Sequence, residues 1–110
     1  GVGEGAGELE GRLWRGTYEL HAEELETSLM LAIAPELVRM DRAVADYPGT
    51  PAEFGHSALS MGDVGRTGVF GDATRATAEK GRRWLEILTE RTAQAWRDFL
   101  RAHDITGGIG

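Results

Sequence analysis

The C-terminal third of the chain carries the feature that most constrains its fold, a helical repeat of large apolar residues. These residues recur at three- and four-residue spacing over about five turns. They are Trp84, Leu85, Leu88, Ala95, Trp96, Phe99 and Leu100. We therefore predict a long amphipathic helix that starts among Asp72, Thr74 and Thr77, whose side chains can cap it, and that has Trp84 and Trp96 on its core face.

A second, shorter helix is predicted from residues 21 to 34. Its apolar residues also repeat at three- and four-residue spacing, and the stripe is wide, so we expect this helix to be buried on most sides. Pro35 disfavours helical geometry at the preceding residue and ends the helix, and residues 35–38 form one further turn. Gly81 weakens the long helix by about 1 kcal/mol relative to alanine, which indicates a close packing contact there.

Between the two helices, residues 42–69 are rich in glycine and proline and predict an irregular loop. The short apolar pieces 43–45 and 68–70 are candidates for a pair of edge strands. Two helices and about 25 residues of loop do not easily enclose a core. We therefore expect residues outside this chain to complete the fold.

Glycine is concentrated at both ends of the chain. Residues 1–16 contain few large apolar groups, too few to offset the cost of ordering the backbone, and are interpreted as a flexible lead. Residues 105–110 are interpreted as a disordered tail. The folded part is therefore predicted to span residues 17–104.

Composition and charge exclude several classes of protein. The formal net charge of the 110 residues is −6, which argues against a nucleic-acid partner. No stretch approaches the roughly 18 consecutive apolar residues of a membrane helix, so no membrane partner is expected. The chain has no cysteine, which excludes disulfides and thiolate metal sites and fits a reducing compartment. We predict a cytoplasmic protein.

The densest cluster of polar residues, 21–28, lies at the start of the shorter helix. His21 is a candidate general acid or base, since imidazole exchanges protons near neutral pH. The alternative is a solvated, acid-rich first turn without chemistry. On the predicted helix only His21 and Glu24 share a face, too few groups for a metal site. His56 and His103 are interpreted as surface histidines.

Glycine brackets residues 68–72, Gly-Val-Phe-Gly-Asp, without the spacing of a nucleotide-binding loop. The spacing favours a strand that runs into a turn and a helix cap.

Two ordered stretches resemble a known family. Residues 21–31 read His-Ala-Glu-Glu-Leu-Glu-Thr-Ser-Leu-Met-Leu, which is similar to the His-Ala-Gly-x-x-Glu-Thr-Ser-Leu-Met-Leu segment of the creatininase family. Residues 68–74 and 76–81 are similar to the family's Gly-Val-x-Gly-Asp-Pro-Thr and Ala-Thr-x-Glu-Lys-Gly stretches. The resemblance covers residues 19–101 and implies the C-terminal segment of an α/β fold with a central, largely parallel sheet. That segment would consist mainly of two helices and a long loop with short strands.

The resemblance also implies a function. Family members hydrolyse C–N bonds of small-molecule amides, use two divalent metals (zinc, manganese or iron) and commonly form homo-oligomers. His21 matches the catalytic histidine that passes a proton to the leaving nitrogen, and Glu26 matches a glutamate to which we assign an orienting role. The family's metal ligands lie in its N-terminal half, so we expect no metal on this chain alone and no activity without that half.

One departure from the family pattern is Glu23 in place of glycine, which adds bulk and negative charge beside the candidate site. Two alternatives to an amidohydrolase segment remain open, a non-catalytic helical interaction module and a pseudoenzyme. The substrate, the metal and the oligomeric state are open as well.

Overall fold

The computed structural model describes residues 20–48 and 58–104. The predicted lead (1–16), the predicted tail (105–110) and His56 lie outside the described residues. The helices are α1 (Glu24–Ile33), α2 (Met61–Val64) and α3 (Ala78–Ala102), and the strands are β1 (Ala45–Asp46) and β2 (Gly71–Asp72). Single 3-10 turns occupy Pro35–Leu37, Met40–Arg42 and Ala73–Arg75.

Helix α3 begins where the sequence predicts. Thr77 is its N-cap, and the Thr77 hydroxyl accepts a hydrogen bond from the amide of Lys80. Asp72, another predicted cap, instead caps the preceding 3-10 turn by accepting from the amide of Thr74 at 2.9 Å. The predicted strand, turn and cap thus lie further along the chain, with the strand at Gly71–Asp72 and the turn at Ala73–Arg75, and Asp72 caps this turn rather than α3.

The core lies between α1 and the first half of α3. Trp84 and Ile87 are fully buried, and Leu25, Leu29 and Leu88 pack against them. The expectation that Trp96 lies on the core face is wrong, because this side chain is 61% exposed. Helix α1 has 10 residues and α3 has 25, or about 15 Å against about 37 Å. Helix α1 therefore cannot cover the second half of α3.

The closest approach of the two long helices is at Gly81, as its position in the sequence suggested. A Cβ atom at this position would lie 1.8 Å from the backbone oxygen of Ser28 in α1. Only a residue without a side chain allows the backbones to approach this closely.

Helix α1 differs from its prediction in two ways. It begins at Glu24 rather than His21, because Ala22 has a φ of +50°, in the left-handed region. It ends before Pro35, as predicted. The expected burial on most sides is wrong: the fully buried side chains of this helix are the polar Glu24 and Ser28, whereas Ile33 is exposed.

The two short strands form an antiparallel pair with Ala45 opposite Asp72 and Asp46 opposite Gly71. The amide of Ala73 extends the ladder by donating to the oxygen of Val44 at 3.1 Å. Pairing of these two parts of the loop was predicted, but it lies one to three residues further along the chain. Helices with a short sheet agree with the predicted segment of an α/β fold.

The described helices include none that combines the length and the apolar character needed to cross a membrane.

Candidate functional site

The two stretches that carry the family resemblance meet at the N-terminal ends of α1 and α3. The Ser28 hydroxyl accepts a hydrogen bond from the amide of Thr77 at 3.1 Å, across 49 residues of sequence. This bond satisfies one of the amides at the start of α3 that have no partner within the helix. Together with the contact at Gly81, it fixes the position of one helix start relative to the other.

A buried ion pair joins the same two helix starts. The side chain of Glu24 is fully buried, and its Oε1 lies 2.8 Å from the Lys80 Nζ. Arg75 adds a second positive charge, with its Nε 3.7 Å from Glu24 Oε2. Lys80 also donates to the backbone oxygen of Arg75 at 3.0 Å. A buried carboxylate requires such partners, because removing an ion from water is costly.

Sequence reasoning missed this ion pair. It placed Glu24 on one helical face with His21, whereas His21 precedes the helix and Glu24 turns towards α3. The one feature of the sequence that pointed to the pair was Lys80, because it belongs to the Glu-Lys-Gly part of the second stretch that resembles the family. Nothing in its spacing from Glu24 indicated a pair.

His21 is held in place through its backbone. Its amide and that of Leu20 donate to the oxygen of Phe70 at 3.4 and 2.8 Å, and the amide of Phe70 donates to the oxygen of His21 at 2.9 Å. This antiparallel bridge ties His21 to the residue before β2. Phe70 is buried, so the support beneath His21 is anchored in the fold.

The His21 ring faces the carboxylate of Glu26. His21 Nδ1 lies 3.5 Å from Glu26 Oε2, and both side chains are 52% exposed. A carboxylate at Nδ1 favours the proton on that nitrogen and leaves Nε2 free to exchange a proton with a bound molecule. The structure therefore brings together the two site residues, His21 and Glu26, that the sequence singled out.

The peptide groups on both sides of Ala22 bind to side chains of α1. The amide of Ala22 donates to Glu26 Oε2 at 2.5 Å, and the hydroxyl of Thr27 donates to the oxygen of Ala22 at 3.1 Å. A left-handed conformation costs a residue with a Cβ about 1–2 kcal/mol. These two hydrogen bonds stabilise it at the residue next to His21.

Glu23 does not have the role that its position in the motif suggested. Its side chain is buried and caps α1, accepting from the amides of Leu25 and Glu26 at 3.1 and 2.9 Å. The bulk and charge of Glu23 are thus directed at the helix start, where the helix dipole stabilises a carboxylate.

A cleft of about 370 Å³ opens beside Glu26. Ala22, Glu26, Thr27 and Met30 form one wall. The remaining lining residues are Leu37, Val38, Arg39, Met40, Arg42, Ala43, Val69 and Ala73. The cleft is mostly apolar, with a few polar groups near Glu26, which is the usual character of a small-molecule site.

The described residues contain no group of three or more histidine, cysteine, aspartate or glutamate side chains that could hold a metal ion. His103 lies at the exposed C-terminal end of α3 and stacks on Phe99 with ring centroids 4.2 Å apart. It is a surface histidine, as predicted. The residues of this part of the chain therefore do not fit a dinuclear metal site.

Comparison with known proteins identifies the class. Residues 6–96 match the family model for creatininase, described as creatinine amidohydrolase. The match spans most of the chain, and the chain belongs to the creatininase family.

Two curated relatives are similar to parts of this chain. Creatinine amidohydrolase of Pseudomonas putida is 41% identical over 81 residues, which are 71% of this chain and 30% of the relative. The mycofactocin precursor peptide peptidase of Mycobacterium ulcerans (strain Agy99) is 44% identical over 68 residues, which are 59% of this chain and 27% of the relative. The chain thus spans less than a third of the length of these relatives.

The fold agrees with solved structures of the family. The manganese form of creatininase superposes with a TM-score of 0.64 at 29% identity, covering 84% of this chain and 38% of that chain. The described helices and strands are therefore part of a creatininase-like α/β fold.

Proposed function

We propose that this chain supplies the proton-transfer part of a metal-dependent amide hydrolase. The observation that carries the proposal is the approach of the His21 ring to the Glu26 carboxylate at 3.5 Å, with Glu26 and the neighbouring Ala22 lining the cleft. Membership of the creatininase family supports the reaction class.

His21 acts in the step in which the C–N bond breaks. With both ring nitrogens protonated, His21 gives the Nε2 proton to the leaving nitrogen, which departs as a neutral amine, and the ring returns to its Nδ1-protonated form. Glu26 orients the ring from the side of Nδ1. The cleft beside Glu26 binds the amide.

The metal ions of the reaction are bound by residues other than those that the structure describes. The family resemblance implies two divalent ions, zinc, manganese or iron, and the manganese form of creatininase supports a divalent ion in the family. Such ions activate water for attack on a carbonyl carbon. The chain is inactive without that part of the fold, because 62% of the solved creatininase chain lies outside the matched region (100% less the 38% covered).

The substrate is a small molecule with an amide bond. Its class is supported by the similarity to creatinine amidohydrolase and by the size of the cleft. A second candidate is the amide bond of a peptide, because a relative of similar identity is a precursor peptide peptidase.

Three further properties are part of the proposal. The chain is cytoplasmic, which the absence of cysteine supports. It binds neither nucleic acid nor membranes, which its net charge of −6 supports. It works within a homo-oligomer, as the resemblance to the family implies.

A chimera tests the catalytic assignment. The segment of Pseudomonas putida creatinine amidohydrolase that matches this chain is replaced by residues 20–104 of this chain, which include His103. The chimera is loaded with manganese and assayed with creatinine, small amides and short peptides. We expect hydrolysis that falls by about 100-fold or more in the His21→Ala variant, the usual scale of a lost general acid.

His103→Ala is the matched control, because His103 lies on the surface at the end of α3 and should leave the rate unchanged. Equal rates for the chimera and its His21→Ala variant would contradict the role of His21. A folded, metal-loaded chimera that hydrolyses none of these substrates would instead favour the interaction module or the pseudoenzyme.

A further inference from the structure

The left-handed backbone of Ala22 is the least expected feature near the site. Its φ of +50° is unfavourable for any residue with a Cβ. The residue lies between His21, which is bridged to Phe70, and the capped start of α1. The direction in which the chain leaves His21 therefore depends on this one conformation.

The capping of α1 explains why the backbone oxygen of Ala22 bonds to a side chain rather than to a helix amide. In a helix that continued towards the N-terminus, the amide of Glu26 would donate to the oxygen of Ala22. That amide instead donates to Glu23 Oε1 at 2.9 Å. The oxygen of Ala22 accepts from the Thr27 hydroxyl at 3.1 Å.

This hydrogen bond differs from the usual one made by a threonine in a helix. Threonine hydroxyls within helices commonly bond the backbone oxygen three or four residues earlier, which adds little to the fold. The Thr27 bond reaches five residues back, to a peptide outside the helix. Glu26 binds the other peptide of Ala22, through the same carboxylate oxygen that faces His21.

We propose that Thr27 is a positioning residue for His21. Through the oxygen of Ala22 it holds the left-handed turn that keeps the His21 ring beside Glu26. The inference rests on the proposed function, in which this ring transfers the proton. Without the Thr27 hydroxyl, Ala22 relaxes towards the right-handed region, and both the backbone bond to Glu26 and the approach of the ring weaken.

Three variants of the full chain test the proposal: Thr27→Val, which removes the hydroxyl, Thr27→Ser, which keeps it, and Ala22→Gly, which removes the steric penalty of a positive φ. NMR spectroscopy gives two readouts that need no activity. The NOE between the amide and Hα protons of residue 22 is strong only for a positive φ, and the ring nitrogen shifts of His21 report which nitrogen carries the proton.

In Thr27→Val we expect the strong NOE to be lost and the Nδ1-protonated form of His21 to decrease, whereas Thr27→Ser retains both. The double variant Ala22→Gly/Thr27→Val recovers part of the Nδ1-protonated form of His21, because glycine adopts the left-handed turn without help. In the active chimera, Thr27→Val lowers kcat by about 10- to 100-fold, the scale of a misplaced catalytic group, whereas Thr27→Ser does not.

Unchanged NMR signals in a folded Thr27→Val chain would overturn the proposal, as would a loss of signal in Thr27→Ser equal to that in Thr27→Val. If the NMR changes occur as expected while His21→Ala leaves hydrolysis by the chimera unaffected, Thr27 positions His21 and the proposed function is wrong. The two failures are therefore distinguishable.

Discussion

Gly81 shows how a single residue sets the distance between α1 and α3. In a solvent-exposed helix, replacing glycine by alanine stabilises by about 1 kcal/mol. At Gly81 the added Cβ would lie 1.8 Å from the backbone oxygen of Ser28, which has no flexible atoms to move aside. The two helices must then separate, and the core at Trp84 loses contacts.

We predict that Gly81→Ala lowers the free energy of unfolding by about 2 kcal/mol, the usual cost of overpacking. Urea unfolding followed by far-UV circular dichroism measures the change. Gly62→Ala is the matched control, because Gly62 is also helical and an added Cβ there meets only the Ser60 hydroxyl, at 3.7 Å. A variant at Gly81 as stable as the control would show that the helices are not in close contact.

The Glu24–Lys80 pair provides a second prediction at the residue scale. Lys80→Met removes the closest positive charge from a fully buried carboxylate, while the Lys80 side chain itself is 24% exposed. We expect a loss of about 3 kcal/mol, at the lower end for breaking a buried pair. The double variant Glu24→Gln/Lys80→Met should lose less than the sum of the two single changes.

The Arg39–Asp41 pair is the control for this cycle. Its side chains are 61% and 64% exposed, and Arg39→Met is expected to change the unfolding free energy by less than about 1 kcal/mol. Additive effects of Glu24→Gln and Lys80→Met in urea unfolding would contradict a direct interaction between these two residues.

At the scale of elements, the short helix α2 depends on a capping box. Ser60 accepts from the amide of Asp63 at 3.2 Å, and Asp63 accepts from the amide and the hydroxyl of Ser60 at 2.8 and 2.9 Å. The bond from the Ser60 amide, and then that from its hydroxyl, lower the pKa of Asp63 below its usual value of 3.8. The ionised form of Asp63 is therefore the one that stabilises α2.

The sign of this shift gives a pH dependence. Since folding lowers the pKa of Asp63, its contribution to stability is complete above the unfolded value of 3.8 and is lost as the pH falls through the lower folded value. A carbon NMR titration of the Asp63 carboxyl should have its midpoint below 3.8, and Ser60→Ala should move the midpoint part of the way back. A midpoint at or above 3.8 would contradict the capping box.

The elements differ in how far the sequence determines them. Helix α3 and its cap at Thr77 follow from local spacing, and Gly81 reveals its contact because a glycine in a helix is costly without one. The burial of Trp96 was mispredicted, because burial depends on the length of the neighbouring helix. The pairing of His21 with Glu26 rather than Glu24 depends on one torsion angle at Ala22, which no periodicity encodes.

At the scale of the whole molecule, the fold accounts for one side of the proposed site. The described residues place His21 beside Glu26, and Glu26 in turn lines the cleft, but they include no group of metal ligands. In the second half of α3, Trp96 and Phe99 remain about half exposed or more, with their rings in edge contact at 5.9 Å. The exposure of these two rings agrees with a chain that covers 38% of a solved creatininase.

The metal content of the isolated chain tests directly whether the metal ligands lie outside the described residues. We predict that the purified 110-residue chain, equilibrated with zinc and manganese and freed of excess ion, retains almost no metal by elemental mass spectrometry. A tight site requires three or more protein ligands, and His21 with Glu26 offers only two. The chimera, measured in the same way, is the positive control. About two metals bound per isolated chain, together with amide hydrolysis, would show that residues of this chain outside the described ranges complete the site.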